Sequence, residues 1–508
     1  MSAWGIGVLV ASASFLLQVY PRFVKPLFGI DVWRHLLIAR FVKARGHLPR
    51  DGELAQHIFS EGTDYPPLLR WLIACFPETS WLILQRFLAP LFDFAHSMTL
   101  FGVVWGLSGN PWVGATAQIA YAVNPLIIME NSNLTTRSFS SLLFTWSLLP
   151  LLWYQQTGQL VWLGVAVVML ALLLLSHRLA VQAWVFLSIL LTIADPHWVY
   201  AAVLAGAMLT ATILSQEFYA KVLRGHLLML SYWRRNAAHR FAHQIRGSAP
   251  HPQGTKDMVH EIYQWLAKLP ALAVIAGFPM SWFGFLAAWL WATGILARYA
   301  ILPNWAVRDG VLWGLGLLVT GMAIRQLPAI RFLGEGERYG EYAAFPVAAL
   351  TATVVWLGPW AVIAFAAVAT LGGIAPALLL QRKIILQDRE RSITDDHQRI
   401  YGQVRDLMRR GPIRIASIPL GLVDALTYFT DCPVLATDSS LAHWRYYSDF
   451  TPVLRRPLRD LLAEHHMTHL LIDRTYVGVD ELRLTRAKPL AESGPLVLLA
   501  VTDHASER

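Results

Sequence analysis

Long apolar runs separated by short polar turns fill the first 382 residues of the chain. Eleven of these runs are long enough to cross a hydrocarbon core of roughly 30 Å, which takes about 20 helical residues. They lie near residues 4–20, 81–106, 111–129, 138–154, 160–176, 179–194, 197–215, 282–301, 307–325, 341–357 and 358–381. A shorter run at 270–278 is typical of an interfacial or half-crossing helix, so we expect 11 to 13 spans. The first run has neither a basic stretch before it nor a cleavage site after it, which predicts a retained span rather than a signal peptide.

Two long polar connections interrupt this pattern, at residues 21–80 and 216–268. In the first, apolar residues at helical spacing over 31–45 predict a helix lying flat in the membrane interface. Gly46 should end that helix, and Tyr65-Pro66-Pro67 predicts a second short helix at 68–76. The second connection is basic and aromatic, and it also predicts an interface helix.

After Arg382-Lys383 the pattern becomes that of a soluble domain. Short apolar strands are predicted at 414–419, 433–436, 469–473 and 495–501, and helices at 396–410, 421–430 and 456–466. This alternation predicts a small α/β domain over 383–508, following a polytopic α-helical membrane domain over 1–382. We expect the small domain to be structural or to dock the acceptor.

Composition and charge sharpen this division. The chain is 55% apolar and 15% charged, with a mean hydropathy of +0.44. Residues 383–508 hold 17 basic and 17 acidic side chains, so the net charge of +9 belongs to the first 382 residues. Of this charge, +2 lies in 21–80 and +5 in 216–268, which favours contact with anionic lipid headgroups and excludes a nucleic-acid-binding role. Only Cys75 and Cys432 are present, so neither a disulfide framework nor a cysteine metal site is expected.

The order of spans predicts which connections share a face of the membrane. With a cytoplasmic N-terminus, the segments at 21–80, 130–137, 176–178, 216–268 and 334–339 and the C-terminal domain all lie on the outer face. The positive-inside rule opposes this orientation, because the two long connections hold 8 Lys and Arg each. Connections of this length are weak reporters of orientation.

Polar residues at the ends of several spans are the candidates for chemistry, because a charge at such a position is costly unless it pairs or functions. Asp31 directly follows the first span, with His35 one turn later. A helix-capping role for Asp31 is the alternative, and capping is compatible with catalysis.

Three further groups belong to the same predicted face. Glu130 is either functional or an interface charge paired with Arg137. His177 and Arg178 suit a phosphate, with snorkelling of Arg178 as the alternative. Around 334–346, Arg338 and Tyr339 favour ligand binding, with internal salt bridges as the rival. The predicted substrate-binding residues are, in chain order, His35, Glu130, Arg137, His177, Arg178, Tyr232, Arg338, Tyr339 and Glu341.

A carboxylate base, cations for a phosphate and helices for a lipid tail together indicate transfer from a lipid-phosphate donor. The carboxylate would accept the proton of an acceptor hydroxyl, and Arg and His, with a divalent cation such as Mg²⁺ or Mn²⁺ as a further possibility, would stabilise the leaving phosphate. A channel or symporter would instead need charges or broken helices at mid-membrane depth. This sequence places nearly all of its charge at span ends.

The chain resembles the GT-C superfamily of integral membrane glycosyltransferases, which use polyprenyl-phosphate-linked sugars. The resemblance lies in the arrangement of the first span, a long loop opening with Asp31-Val-Trp-Arg-His35, a multi-span core and a C-terminal soluble domain. Glu337-Arg-Tyr-Gly-Glu-Tyr-Ala-Ala-Phe-Pro346 is similar to an Arg-Tyr...Pro element before a late span of such proteins. By this resemblance Asp31 is the expected catalytic base. Glu130 falls where some members carry acidic metal ligands, but no second acid stands beside it, so the metal ligands stay unknown.

The resulting hypothesis is an inverting glycosyltransferase for hexosyl or pentosyl groups, in a bacterial-type inner membrane with its active site outside. Its expected partners are a polyprenyl-phosphate sugar, a lipid, glycan or protein acceptor, and membrane lipids. No Trp-Trp-Asp tripeptide is present, which disfavours protein N-glycosylation. A transporter or flippase of lipid-linked saccharides is the alternative, and a non-catalytic scaffold is a third.

Overall fold

The computed structural model is mostly helical, at 71%, and its contacts divide it into two compact units. The helical unit comprises residues 1–26, 83–219 and 256–387, and the composite unit comprises 27–82, 220–255 and 388–508. The structure describes residues 2–29, 31–58, 62–216, 218–240, 242–247, 270–299, 301–387, 392–435, 447–484 and 487–501. The two long loops thus cluster with the C-terminal residues, whereas the sequence placed the boundary at 382/383.

Each apolar run predicted from the sequence is largely helical over its described residues. The helices of the first half are α1 Ala3–Val24, α2 Asp31–Arg45, α3 Leu68–Ala74, α4 Trp81–Ser108, α5 Pro111–Ala122, α6 Pro125–Asn131, α7 Arg137–Thr157, α8 Leu160–Leu174, α9 Arg178–Ala194, α10 Val199–Leu214 and α11 Phe218–Asn236. Those of the second half are α12 Pro270–Gly277, α13 Ser281–Ala292, α14 Ile295–Tyr299, α15 Asn304–Gln326, α16 Glu337–Val355, α17 Pro359–Ala367 and α18 Ala375–Gln387. A π-helical stretch, Val368–Ile374, joins the last two.

The lengths of these helices bear on the number of membrane crossings. Within the described residues, four helical stretches are long and apolar enough to cross a bilayer, and three sharply bent pairs raise the number to seven if each is one crossing. The apolar helices α8 and α9 are shorter. The chain is a multi-pass membrane protein, and the count of 11 to 13 stays a prediction.

Two of the predicted spans are broken, and a third is irregular, in ways that the hydropathy pattern did not show. The run at 111–129 bends by 72° between α5 and α6, because Pro125 has no N–H to continue the ladder. The Asn124 side chain donates to the carbonyls of Ala120 and Tyr121 and so caps the end of α5. The run at 282–301 breaks at Gly294, which has a φ of +73°, and the 358–381 run contains the π-helical stretch.

Close helix packing in the helical unit depends on two glycines. Gly321 of α15 faces Gly336, the residue before α16, and a Cβ on Gly321 would lie 2.3 Å from the Gly336 carbonyl oxygen. A Cβ on Gly336 would lie 2.0 Å from the Gly321 carbonyl oxygen. The two backbones therefore touch directly, and α16 begins in a fixed position beside the end of α15.

The first loop forms the predicted helices, but α2 is not a surface helix. Trp33 and Leu36 are fully buried, and helix α2 packs against α3 and against α20 (Leu422–Thr430) of the C-terminal region. The apolar face that the sequence analysis assigned to the membrane interface thus has protein partners, because Trp33 lies against the Phe429 ring, 4.9 Å between centroids. Gly46, at a φ of +75°, ends α2 as expected.

The C-terminal region is a small α/β domain, as predicted. Its further elements are α19 Asp395–Arg410, β1 Ile415–Ile418, α21 Leu458–Glu464, β2 His469–Asp473, β3 Ala487–Ser493 and β4 Leu496–Val501. The sheet order is β1-β2-β4-β3, parallel between β1 and β2 and antiparallel elsewhere. Leu470, Ile472, Val497 and Leu499 form its core with α21.

One strand prediction was wrong, and one strand was not predicted. Residues 433–435 form only single bridges, from Val434 to His57 and Ile415, because Pro433 has no N–H and offers only its carbonyl, which accepts from the N–H of Ile415. Residue 436 lies outside the described chain. Conversely, strand β3 was missed because its side chains are mostly exposed, and an exposed edge strand has no apolar run to reveal it.

Three separate stretches of chain build the composite unit. Arg246 donates two hydrogen bonds to Glu481, at 2.7 and 2.8 Å, and Lys221 pairs with Asp51 at 2.7 Å. Arg246 and the N–H of Gly478 hold the pKa of Glu481 down at about 2. Helix α11 is the basic helix predicted for the second loop, and residues 248–269 of that loop lie outside the described chain.

We predict that Gly321→Ala destabilises the protein and that Gly310→Ala, in the same helix, does not. A Cβ at Gly310 would meet nothing nearer than the Leu350 side chain at 3.6 Å, and alanine favours a helix over glycine by up to about 1 kcal/mol. At Gly321 the backbones must separate, at a cost of about 1–3 kcal/mol. The melting temperatures of the two purified variants in detergent test this, and equal values would contradict it.

Candidate functional site

An ion-pair cluster joins three of the predicted residues in the helical unit. The Arg137 guanidinium lies 2.5 Å from a Glu130 carboxylate oxygen and 3.4 Å from one of Glu341. The three side chains are only 12%, 16% and 7% exposed, respectively. Glu130 thus pairs with Arg137, as the alternative to a functional role predicted. Glu341 is a second acid in the cluster, and the spacing of residues in the sequence did not reveal that it lies there.

Chain geometry explains why these residues meet. Glu130 lies at the end of α6, Arg137 is the first residue of α7, and Glu341 lies in the second turn of α16. The turn between α6 and α7 is short, so its two charged ends stay close. Helix α16 brings the third charge from about 200 residues further along the chain.

His177 and Arg178 lie beside the same helix. His177 precedes α9 and its Nδ1 lies 3.0 Å from the Tyr342 hydroxyl. That hydroxyl also lies 3.3 Å from Oγ of Ser140 in α7. Both His177 and Arg178 are buried. The segments at 130–137, 176–178 and 337–342 therefore converge, as the sequence analysis expected for residues on one face.

Arg338 and Tyr339 have partners within the protein. Arg338 donates to Glu335 at 2.6 Å, and Arg325 lies 3.3 Å from Glu337. Tyr339 is fully buried and its hydroxyl donates to Gln182 at 3.0 Å. These contacts agree with the rival interpretation, in which the charges around 334–346 form internal salt bridges. A ligand role for Arg338 or Tyr339 stays a prediction.

A buried carboxylate in the middle of α4 was missed. Asp93 is 1% exposed and accepts three hydrogen bonds: from Gln18 at 2.5 Å, from the Tyr121 hydroxyl at 2.6 Å and from Asn131 at 2.7 Å. His96 extends this network, since its two ring nitrogens lie 3.0 Å from the Tyr121 hydroxyl and 2.8 Å from Thr145. The signal in the sequence is the pair Asp93 and His96, which interrupts an apolar run away from the span ends where the candidates were expected.

Asp31 and His35 lie on the first turns of α2 in the composite unit. Asp31 is the first residue of the helix and is partly exposed, and the positive end of the helix dipole stabilises its negative charge. A spacing of four residues puts Asp31 and His35 on the same helix face. Asp31 therefore has the position in the helix that the sequence predicted.

A group of cations lies beside α2. Arg34 and Arg70 stack on Tyr65, with guanidinium carbons 5.6 and 5.1 Å from the ring centroid. Nε of Arg70 also donates to Nδ1 of His35 at 3.4 Å. Burial and the positive charges of Arg34 and Arg70 lower the pKa of His57 to about 4. This part of the unit is consequently rich in positive charge, and His57 is better suited to the neutral form.

The predicted substrate-binding residue Tyr232 has a structural contact. It is buried in the composite unit, and its hydroxyl donates to the Thr451 carbonyl at 2.6 Å. This bond connects α11 to the C-terminal region. Asp31, His35 and Tyr232 thus belong to the composite unit, and the other seven predicted residues belong to the helical unit.

The arrangement of acids does not favour a metal ion at Glu130. Arg137 already occupies the position of a cation between the carboxylates of Glu130 and Glu341. Within the described residues, no three or more His, Cys, Asp or Glu side chains are grouped as metal ligands. We therefore derive no step through a metal.

Known structures share this fold. The archaeal oligosaccharyltransferase AglB from Archaeoglobus fulgidus, in complex with an inhibitory peptide and a dolichol-phosphate, superposes with a TM-score of 0.59 over 93% of this chain and 69% of its own, at 10% identity. ArnT from Cupriavidus metallidurans bound to undecaprenyl phosphate gives 0.57 over 99% of both chains at 13% identity. Its apo state gives 0.56, also over 99% of both chains, at 14% identity.

These likenesses confirm the GT-C-like fold that the sequence predicted. No family model matches the chain, and no curated protein matches its sequence. At 10–14% identity the likeness concerns the fold, and the residues that act are to be argued from this chain itself.

We predict that Arg137→Gln destabilises the protein strongly. It would leave the carboxylates of Glu130 and Glu341 buried without their cation, and removing one partner of a buried ion pair costs about 3–5 kcal/mol. Arg338→Gln is the matched control, because its pair with Glu335 is more exposed and should be worth less than about 1 kcal/mol. Melting temperatures in detergent measure both, and Glu130→Gln/Arg137→Gln/Glu341→Gln should recover most of the loss. Equal stability of the two single variants would refute this assignment.

We also predict that His57 makes the protein less stable in mild acid. The unfolded chain binds the histidine proton near pH 6.5 and the folded chain only near pH 4, so stability is fully present above pH 6.5 and falls as the pH drops towards 4. His57→Gln should show a smaller fall in melting temperature between pH 7.5 and pH 5. His47→Gln, in the same loop, should behave as the wild type. A wild-type slope in His57→Gln would be the contrary result.

Proposed function

We propose that the protein is an inverting glycosyltransferase that moves a sugar from a polyprenyl-phosphate donor to an acceptor at the outer face of the membrane. The observation that supports this most strongly is the fold, since it extends over 99% of an ArnT chain that is bound to undecaprenyl phosphate. The oligosaccharyltransferase AglB, with its bound dolichol-phosphate, points to the same class of lipid.

Asp31 is the proposed base. It is partly exposed at the start of α2, whereas Glu130 and Glu341 are committed to Arg137 and Asp93 accepts three hydrogen bonds inside the helical unit. The carboxylate would accept the proton of the acceptor hydroxyl as its oxygen attacks the sugar C1. The bond from C1 to the phosphate oxygen breaks on the opposite side, so the anomeric configuration inverts and polyprenyl phosphate leaves.

His177 and Arg178 are the proposed donor-phosphate residues. They lie at the start of α9, where backbone N–H groups and the helix dipole also favour an anion. Stabilising the charge that develops on the leaving phosphate is the role we assign to these two residues.

The outer-face location is part of the proposal. Residues 27–82, 220–255 and 388–508 belong to one compact unit, which supports a location of all three segments on one side of the membrane. This location requires an even number of spans between residues 82 and 220, and again between residues 255 and 388. A cytoplasmic N-terminus with an odd total number of spans, as in the 11-span prediction, puts all three outside.

One observation favours the transporter alternative. A channel or symporter is expected to carry mid-membrane charge or broken helices, and the structure has both Asp93 in mid-helix and the bent α5–α6 pair. The two functions differ in their products, because only a transferase releases free polyprenyl phosphate.

We predict that Asp31→Asn abolishes most of the sugar transfer while the protein stays folded. A general base contributes about 10²–10⁴-fold to a rate. The assay follows free polyprenyl phosphate released from labelled undecaprenyl-phosphate hexoses and pentoses by the purified protein in membrane vesicles that supply the acceptors. Asp51→Asn, an exposed acid of the same loop, is the control and should retain activity.

The outcomes separate the roles. Undiminished release in Asp31→Asn would remove the base assignment but keep the transferase. Movement of the intact lipid-linked sugar across the membrane without release, in the wild type, would instead establish the transporter.

A further inference from the structure

A cavity of about 510 Å³ opens in the helical unit, and the Glu130–Arg137–Glu341 cluster does not line it. It is lined by the last turn of α7, the residues between α9 and α10, and the first turns of α15. The residues that matter for its chemistry are Asp195, His197, Trp198, Trp305 and Arg308. None of the residues discussed for sugar transfer lines it.

The two ends of α7 and of α15 place this cavity at the opposite end of the helical unit from the Glu130–Arg137–Glu341 cluster. Arg137 is the first residue of α7, while Gln155 and Gln156 of its last turn line the cavity. A helix of 21 residues spans roughly 30 Å, which is about the thickness of the hydrocarbon core. Helix α15, which is long and apolar enough to cross a bilayer, gives the same result. Trp305 and Arg308 near its start line the cavity, whereas Arg325 near its end pairs with Glu337 at the start of α16. The cavity therefore lies at the opposite headgroup layer.

The charged side chains on the cavity wall differ in their exposure to solvent. Arg308 donates to Asp309 at 2.8 Å and lies 3.6 Å from Asp195. Nε2 of His197 lies 3.1 Å from the other oxygen of Asp195. The Asp309 side chain is only 3% exposed, whereas those of Asp195, His197 and Arg308 are 34%, 53% and 39% exposed. A ligand can thus reach a carboxylate, an imidazole and a guanidinium within one small site.

Aromatic residues complete the wall. Trp198 is 75% exposed, and Trp305 packs edge-on against Trp153, 6.1 Å between centroids. Tryptophan is favoured at the level of lipid headgroups, and its ring face attracts ammonium groups. The adjoining helix α10 carries exposed apolar side chains, including Leu209 and Ile213, along which an acyl chain can lie.

We propose that this cavity binds the phosphoethanolamine headgroup of a zwitterionic phospholipid. The ammonium lies at Asp195 beside the Trp198 ring, and the phosphate accepts hydrogen bonds from Arg308 and His197. A choline headgroup has no N–H to donate to Asp195, and a glycerol headgroup has no cation for it, so the site selects ethanolamine lipids. The position at a membrane surface favours a lipid over a soluble ligand.

Native mass spectrometry of the full-length protein in detergent tests this proposal. Phosphatidylethanolamine, phosphatidylcholine and phosphatidylglycerol with the same acyl chains are added in turn, and the bound fraction is measured. We expect the ethanolamine lipid to bind most strongly. Asp195→Asn should reduce its preference over phosphatidylcholine by roughly tenfold or more, because the ammonium loses the charged acceptor of its hydrogen bond.

Two further variants keep the test decisive. Trp198→Leu changes an exposed side chain that the fold does not need. It should weaken the binding of the ethanolamine lipid by about two- to fivefold, because a cation–π contact is lost. Asp406→Asn, an exposed acid that pairs with Arg409 in the C-terminal domain, should change nothing. Equal binding of the three lipids, or a preference unaffected by both cavity variants, would overturn the proposal. Displacement of the lipid by free phosphoethanolamine at equal concentration would overturn the lipid assignment in favour of a soluble ligand.

Discussion

The buried carboxylate of Asp93 organises the helical unit, because a charge among apolar helices persists only if the protein itself satisfies it. Its three donors come from α1, α5 and α6. Tyr121 and Asn131 donate to the same oxygen from the two arms of the bent pair, so the carboxylate holds the 72° bend closed. Arg22 of α1 adds a hydrogen bond to the Ser132 carbonyl, just past the end of α6. The bend that proline permits is thus fixed by polar contacts.

From this point a continuous series of contacts leads to the candidate site. Asn131 adjoins Glu130, which pairs with Arg137 and through it with Glu341 of α16. The next residue of α16, Tyr342, meets His177, and the start of that helix is set by the direct contact of Gly321 with Gly336. The positions of the candidate residues in the helical unit therefore depend on internal pairs, and few of these side chains are available to a ligand without breaking one.

Local signals in the sequence predicted most helices and strands, but they did not predict which residues far apart in the chain contact each other. Helix α2 and its end at Gly46 follow from spacing and one glycine, and the Glu130–Arg137 pair follows from a short turn. The contact of Arg137 with Glu341 and the burial of α2 against α20 join residues far apart in the chain, which no periodicity encodes. Strand β3 carries no apolar pattern, and Asp93 was overlooked because one acid scarcely changes the hydropathy of a long run. The functional roles of Asp31 and the other candidates stay predictions.

The composite unit also has a consequence for how the protein is made. Trp33 of α2 packs on Phe429, about 400 residues later in the chain, and Ile393 donates its N–H to the Leu27 carbonyl. A ribosome adds roughly 5–20 residues per second, so the helix that begins with Asp31 waits tens of seconds for its neighbours while the intervening helices enter the membrane. During that interval its apolar side chains need a temporary cover, which the membrane surface or a chaperone can supply. Assembly of the unit is therefore a late step that follows insertion of the helices.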